Sequence, residues 1–161
     1  MPWFRRSTRP PPEPVPQEDP ADSPAVLRSA IADVVRLVNA SAGRLPLAAV
    51  VAARRITDVL AEVVETAEVR PLDIQAVLSV RATATDYLPT TLRTYLAVDE
   101  SLVDVPRASG RTPQESLLEQ LDALEGAALA VQDAIQHQDV DGLLTQGNFL
   151  RTKFSRSDLE I

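Results

Sequence analysis

From Ala25 onward, apolar residues recur every three or four positions, the spacing that lays a stripe along one face of an α-helix. Leu27, Ile31, Val34 and Val38 form the first stripe. Ser23-Pro24 supplies its start. A serine can accept from the unpaired N–H groups of the first turn, and proline at the first helical position gives up an N–H that has no partner there. Gly43 is expected to end this helix. Pro46 opens a second, with the stripe Ala49, Ala52, Ala53, Ile56, Val59, Leu60, Val63 and Ala67. Pro71 opens a third, through Ile74, Val77, Leu78, Ala84 and Leu88. Pro89 interrupts it, and a proline inside a helix costs ~3 kcal/mol. The spacing nevertheless resumes with Leu92, Tyr95 and Leu96. Either one kinked helix or two helices meeting at Leu88-Pro89 would satisfy the pattern.

Between Asp99 and Gly110 the periodicity stops, and Pro106 and Gly110 mark a loop. Thr112-Pro113-Gln114-Glu115 is then a capping box, in which the Thr side chain caps the backbone and the Glu reaches back. Leu117, Leu121, Leu124, Ala128, Val131 and Ile135 follow in steps of four and three, a narrow seam like that of a short coiled coil. Asp139 or Asp141 is placed to cap a last short helix carrying Leu143, Leu144, Leu150 and Phe154. No segment alternates with period two. The fold class expected is all-α, a mostly antiparallel bundle of four to six helices.

Residues 1–24 are different. They hold eight of the thirteen prolines, including the run Pro10-Pro11-Pro12, and neither a helix nor a sheet ladder survives that density. They are expected to be a disordered Pro-rich tail, with the helical bundle domain spanning 25–161. The tail has no apolar stretch of signal-peptide length, and no window approaches the ~18 apolar residues of a membrane span. The expected location is the cytoplasm, with room for a peripheral place at the inner face of the membrane. Trp3, Phe4, Arg5 and Arg6 sit together at the far end of the tail, where they could act as a docking peptide for a partner groove or, weakly, for a membrane surface.

Composition narrows the chemistry. The 161 residues have no cysteine and one histidine, His137, which removes disulfides, thiolate metal sites and a Cys nucleophile. Zinc sites and His-based triads lose their main currency as well. Five scattered glycines form no phosphate loop. The net charge of -7 gives no general drive toward nucleic acid. Arg54-Arg55 beside Arg44 is the densest basic spot of the body, and Asp58 and Glu62 are expected to pair with it. Asp58, Glu62 and Glu65 share part of a helix surface, and Asp133 and His137 lie one turn apart. The first group reads as a solvated acidic face and the second as a helix-end histidine. No catalytic residue, metal ligand or cofactor is expected. Arginine outnumbers lysine fifteen to one, and with abundant Ala and Val this is the composition of a GC-rich bacterial genome, an actinobacterial one above all.

The segment Asp86-Tyr87-Leu88-Pro89-Thr90-Thr91-Leu92-Arg93-Thr94-Tyr95 resembles the Tyr-Leu-Pro-Thr-Thr-Leu core of the XpaC family, named for 5-bromo-4-chloroindolyl phosphate hydrolysis. The stretch from Leu121 through Leu144 is similar to that family's C-terminal helical hairpin, and the resemblance covers roughly residues 55–150. It implies a helical bacterial protein associated with toxic-anion resistance, and no catalytic residue carries across. The chain departs from the family in lacking an N-terminal hydrophobic span. For Tyr87, Pro89 and Thr90 the expected role is a kink whose freed carbonyl is served by Thr hydroxyls and against which the Tyr rings pack. A notch for a partner protein is the functional alternative at the same place. Two function classes follow: an interaction or adaptor protein of a bacterial envelope-stress or cell-surface assembly, with another protein as partner and room for a homo-oligomer, or a phosphatase-like hydrolase of the kind the family's name implies.

Overall fold

A computed structural model describes residues 20–157 of the chain, with side chains through residue 139. It is all-α, and no strand occurs among the described residues. Helix α1 spans Pro24–Ser41 and α2 spans Leu47–Val69; α3 spans Ile74–Ala82, α4 Leu88–Leu96 and α5 Pro113–Ser157. A π-helical turn, Thr83–Tyr87, joins α3 to α4 without a break, so the two form one rod. Four rods therefore make the bundle.

Ser23 Oγ accepts from the Val26 N–H at 3.3 Å, and Leu27, Ile31, Val34 and Val38 are all buried, as their spacing predicts. The turn after α1 departs from expectation. Gly43 lies in it but not at positive φ, and a side chain there would meet nothing. The turn is closed instead by the Leu45 N–H on the Ser41 carbonyl at 3.0 Å, with Leu45 buried beneath it. Among the described residues, positive φ is confined to Gly110, in the loop before α5.

Helix α2 runs back along α1: Arg28 near the start of α1 pairs with Glu68 near the end of α2, and Arg54 donates to Asn39 Oδ1 at 3.0 Å. Ala49 and Ala53 are fully buried, so the two helices approach closely where the small residues lie. Val50, Thr57 and Val64 are buried too, which widens the expected stripe to a face that serves neighbours on both sides. One is α1. The other is α5, which runs parallel to α2, with Arg55–Glu125, Glu62–Gln132 and Arg70–Asp139 contacts in register.

The third rod corrects the sequence reading in two ways. It starts at Ile74 rather than Pro71, with Asp73 accepting from the Gln75 N–H at 2.8 Å. Its buried face is Ala76, Val80, Thr83, Ala84, Leu88, Leu92 and Tyr95, while Ile74 is 58% exposed and Leu78 only half-buried. The π turn explains the shift: it inserts one residue, so positions before it fall one place out of phase with positions after it. The insertion also accommodates Pro89. The Leu88 N–H bonds to the Thr83 carbonyl five residues back, and the wider turn relieves the crowding of a proline ring on the carbonyl four residues earlier.

Helix α5 opens with the capping box: the Thr112 N–H donates to Glu115 Oε2 at 2.8 Å, and the Glu115 N–H to Thr112 Oγ1 at 3.1 Å. Leu117, Leu121, Ala128 and Ile135 are buried. There is no break at Asp139 or Asp141; a single helix continues to Ser157, so the expected last short helix is the end of α5. The described side chains stop short of Leu143, Leu144, Leu150 and Phe154.

Each rod reverses the direction of the one before. The remaining neighbours, α1 with the third rod and α2 with α5, run parallel. The domain boundary also moves. Pro20–Asp22 forms a turn of 3-10 helix, and Arg81 of α3 reaches Asp22 at 2.8 Å, so the packed body begins at residue 20 rather than 25. Residues 1–19 lie outside the described residues, and with them Trp3, Phe4, Arg5 and Arg6.

Candidate functional site

The π turn lines a cleft. Between α1 and the stretch of the third rod from the π turn into α4 lies a space of about 200 Å³ lined by Ala30, Val34, Leu37, Ala84 and Pro89, with Asp33, Thr85 and Arg93 at its rim. The floor is apolar and Pro89 is buried in it. Asp33 is engaged by Arg36 one turn along α1. Arg93 is exposed and has no ion-pair partner among the described residues. The cleft therefore offers an apolar floor beside an uncommitted guanidinium.

Of the three residues that the sequence singles out here, Pro89 faces the cleft, while Tyr87 is 54% exposed and Thr90 is exposed. Thr90 Oγ1 donates to Asp86 Oδ1 at 3.2 Å. The Thr hydroxyls near the turn serve carbonyls earlier in the rod: Thr83 donates to Ser79 and Thr85 to Arg81, both at 2.8 Å. Only one Tyr ring packs. Tyr95 is buried, and burial raises its pKa above the usual value, helped by the Asp104 and Glu100 carboxylates.

No family model matches the chain, and no curated protein or solved structure matches it either.

A second, larger groove escaped the sequence reading. It lies between α3 and α5, about 390 Å³ in volume, with Ala76, Ala130, Val131, Ala134 and Ile135 as its apolar lining and Asp73, Gln75, Ser79 and Gln138 around them. Its signal in the sequence is the density of alanines on α5. Methyl side chains at Ala130 and Ala134 leave space that larger residues would fill.

The other candidate chemistry is structural in arrangement. His137 Nδ1 lies 2.9 Å from the Asp133 carbonyl and 3.3 Å from its carboxylate, with both side chains largely exposed. Glu62 is taken by Gln132. The basic spot pairs differently from expectation: Arg55 meets Glu125 at 3.5 Å, Arg54 meets Asn39, and Arg44 donates to the Leu96 carbonyl at 2.5 Å. Each of the three arginines is thus taken by a partner on another element rather than by Asp58 or Glu62. Among the described residues, no three His, Asp or Glu side chains converge as metal ligands.

Proposed function

We propose that this chain is a non-catalytic interaction protein, an adaptor whose helical body presents the Pro89 cleft to another protein in a bacterial envelope-stress or cell-surface assembly. The observation that carries this reading is the uncommitted Arg93 at the rim of an apolar cleft. Such a pair suits a short segment that places an apolar side chain next to a carboxylate, since the exposed guanidinium steers and orients the acid while the apolar floor takes the side chain. A π turn supports the assignment, because these insertions concentrate at functional places in helices. The XpaC-like segment surrounds the same turn, and the resemblance supplies the envelope-stress context.

The test is capture of partners by full-length protein and by an Arg93→Glu variant, with Arg107→Glu in the distal loop as control. Loss of the same captured species with Arg93→Glu alone, at unchanged melting temperature, supports the cleft. Equal capture by both variants rejects it. Phosphatase turnover that survives repurification and disappears with Asp133→Asn or His137→Ala would instead support the hydrolase.

A further inference from the structure

The Pro89 cleft lies where the third rod meets α1; the larger groove of about 390 Å³ lies where it meets α5. Ile135 and Ala76 are buried at the floor of this groove, and Val131 is half-buried. Ala130 and Ala134 are exposed along its α5 wall. From Ala130 to Gln138 that wall runs for about 12 Å at 1.5 Å per residue, the length of two helical turns.

Both walls are acidic. No basic residue lines the groove, and Asp73 stands at its edge with one carboxylate oxygen on the Gln75 N–H at 2.8 Å. Residues 113–139 of α5 hold six Asp or Glu and no Lys or Arg, and residues 73–80 of α3 hold Asp73 and no base. Arginines from elsewhere match part of this charge: Arg111 takes Glu119, Arg55 takes Glu125, and Arg70 takes Asp139 and the Ile135 carbonyl. Asp133, next to Ala134, is 68% exposed, with His137 at 3.3 Å. The charge left beside the groove is therefore negative.

We propose that the α3–α5 groove docks a cationic amphipathic helix of a partner protein, with its apolar stripe in the groove and its Lys or Arg side chains toward Asp73 and Asp133. Both walls are helices, so there is no sheet edge to which an extended segment could add. No aromatic ring lines the groove, as recognition of a proline-rich segment would require. A helix laid in the groove satisfies the same surface: the methyl side chains of Ala130 and Ala134 let it come close, and apolar residues at i, i+3 or i+4, and i+7 cover the two turns. A second copy seated face to face is disfavoured, because it would set one acidic α5 against another. The inference goes beyond the adaptor reading and does not rest on it. The Pro89 cleft offers a guanidinium to an acid, whereas this groove offers carboxylates to a base.

The experiment uses full-length protein and a labelled model peptide of ~14 residues, about four turns, with Leu at i, i+3, i+4 and i+7 and Lys on the flanks. The same peptide with Glu in place of Lys is the comparison. Ala134→Phe and Ala130→Gln each fill the groove from an exposed position. Asp73→Ser with Asp133→Asn removes charge while keeping a capping side chain at the start of α3. The variants are first shown to keep the wild-type circular dichroism and melting temperature. The expected result in fluorescence anisotropy is binding of the Lys peptide and not of the Glu peptide. Each groove-filling substitution should weaken it about tenfold or more, and the charge removal roughly fivefold at low salt. Arg107→Glu, in the distal loop, should leave it unchanged. Absence of binding by the Lys peptide overturns the proposal, as does equal binding of both peptides or an affinity indifferent to both filling substitutions. Sedimentation of the protein alone tests the other occupant: a concentration-dependent dimer that Ala134→Phe dissociates overturns the proposal in favour of self-association.

Discussion

Arg81 on α3 holds Asp22 at 2.8 Å, across 59 residues of sequence, and so ties the turn before α1 to the third rod. Asp22 keeps only 14% of its side-chain surface exposed and Arg81 34%, a partly shielded pair rather than a loose surface contact. Shielding from solvent is what lifts such a pair above the near-zero value of exposed ones.

Two truncations therefore separate the packed turn from the chain before it. Removal of residues 1–22 takes Asp22 away and should lower stability by about 1 kcal/mol relative to removal of residues 1–19, a difference of several degrees in melting temperature for a domain of this size. Asp22→Asn in the full chain should reproduce most of that difference. Equal melting temperatures for the two truncations would show that the pair adds nothing.

The π turn's one-residue shift has its own test. Leu88 is fully buried and Ile74 is 58% exposed, although the uninterrupted spacing puts them on one stripe. Leu88→Ala should cost about 2–5 kcal/mol, as buried leucines do, while Ile74→Ala should stay within ~0.5 kcal/mol. Chemical denaturation of the two variants decides it. A large loss at Ile74 would mean that the rod is a regular α-helix.

These contrasts locate what the sequence could reveal. The stripe of α1 and the seam of α5 are legible because each helix is regular and buries a narrow face, so spacing maps directly onto burial. In α2 the same logic misses Val50, Thr57 and Val64, since this helix packs most extensively on both of its neighbours and buries a wider face than one stripe. In the third rod it fails at Ala76 and Val80 because a π insertion leaves no mark on composition. Pro89 was legible as an interruption, but the cleft beside it needs α1, 55 residues earlier at Val34, to exist at all. The α3–α5 groove is an absence of volume between alanines and becomes visible only when the helices are placed.

The capping box at α5 should behave as a coupled pair. Thr112→Ala removes the acceptor for the Glu115 N–H, and Glu115→Ala removes the acceptor for the Thr112 N–H. Each should cost ~1 kcal/mol. The double variant should cost less than the sum, because the two hydrogen bonds hold one backbone geometry. Strict additivity in denaturation would show that the two bonds form independently.

Tyr95 gives the bundle a sensitivity to alkaline pH. Its ring is buried against the core, and burial disfavours the phenolate, with the Asp104 and Glu100 carboxylates adding repulsion; its folded pKa lies above the usual value near 10. A group whose pKa is raised by folding contributes stability that is fully present below its unfolded pKa and lost as pH rises through the folded one. Stability should therefore be insensitive to this residue below about pH 10 and should fall above it, as the phenol is forced to ionise. The chain has two tyrosines, so Tyr87→Phe leaves Tyr95 as the single phenol for an absorbance titration. Its midpoint should lie above 10, and Asp104→Asn with Glu100→Gln should lower it only part of the way, because burial is the larger cause. A midpoint at or below 10 in the Tyr87→Phe protein, or a full return to 10 on neutralising the two carboxylates, would place Tyr95 at the surface rather than in the core.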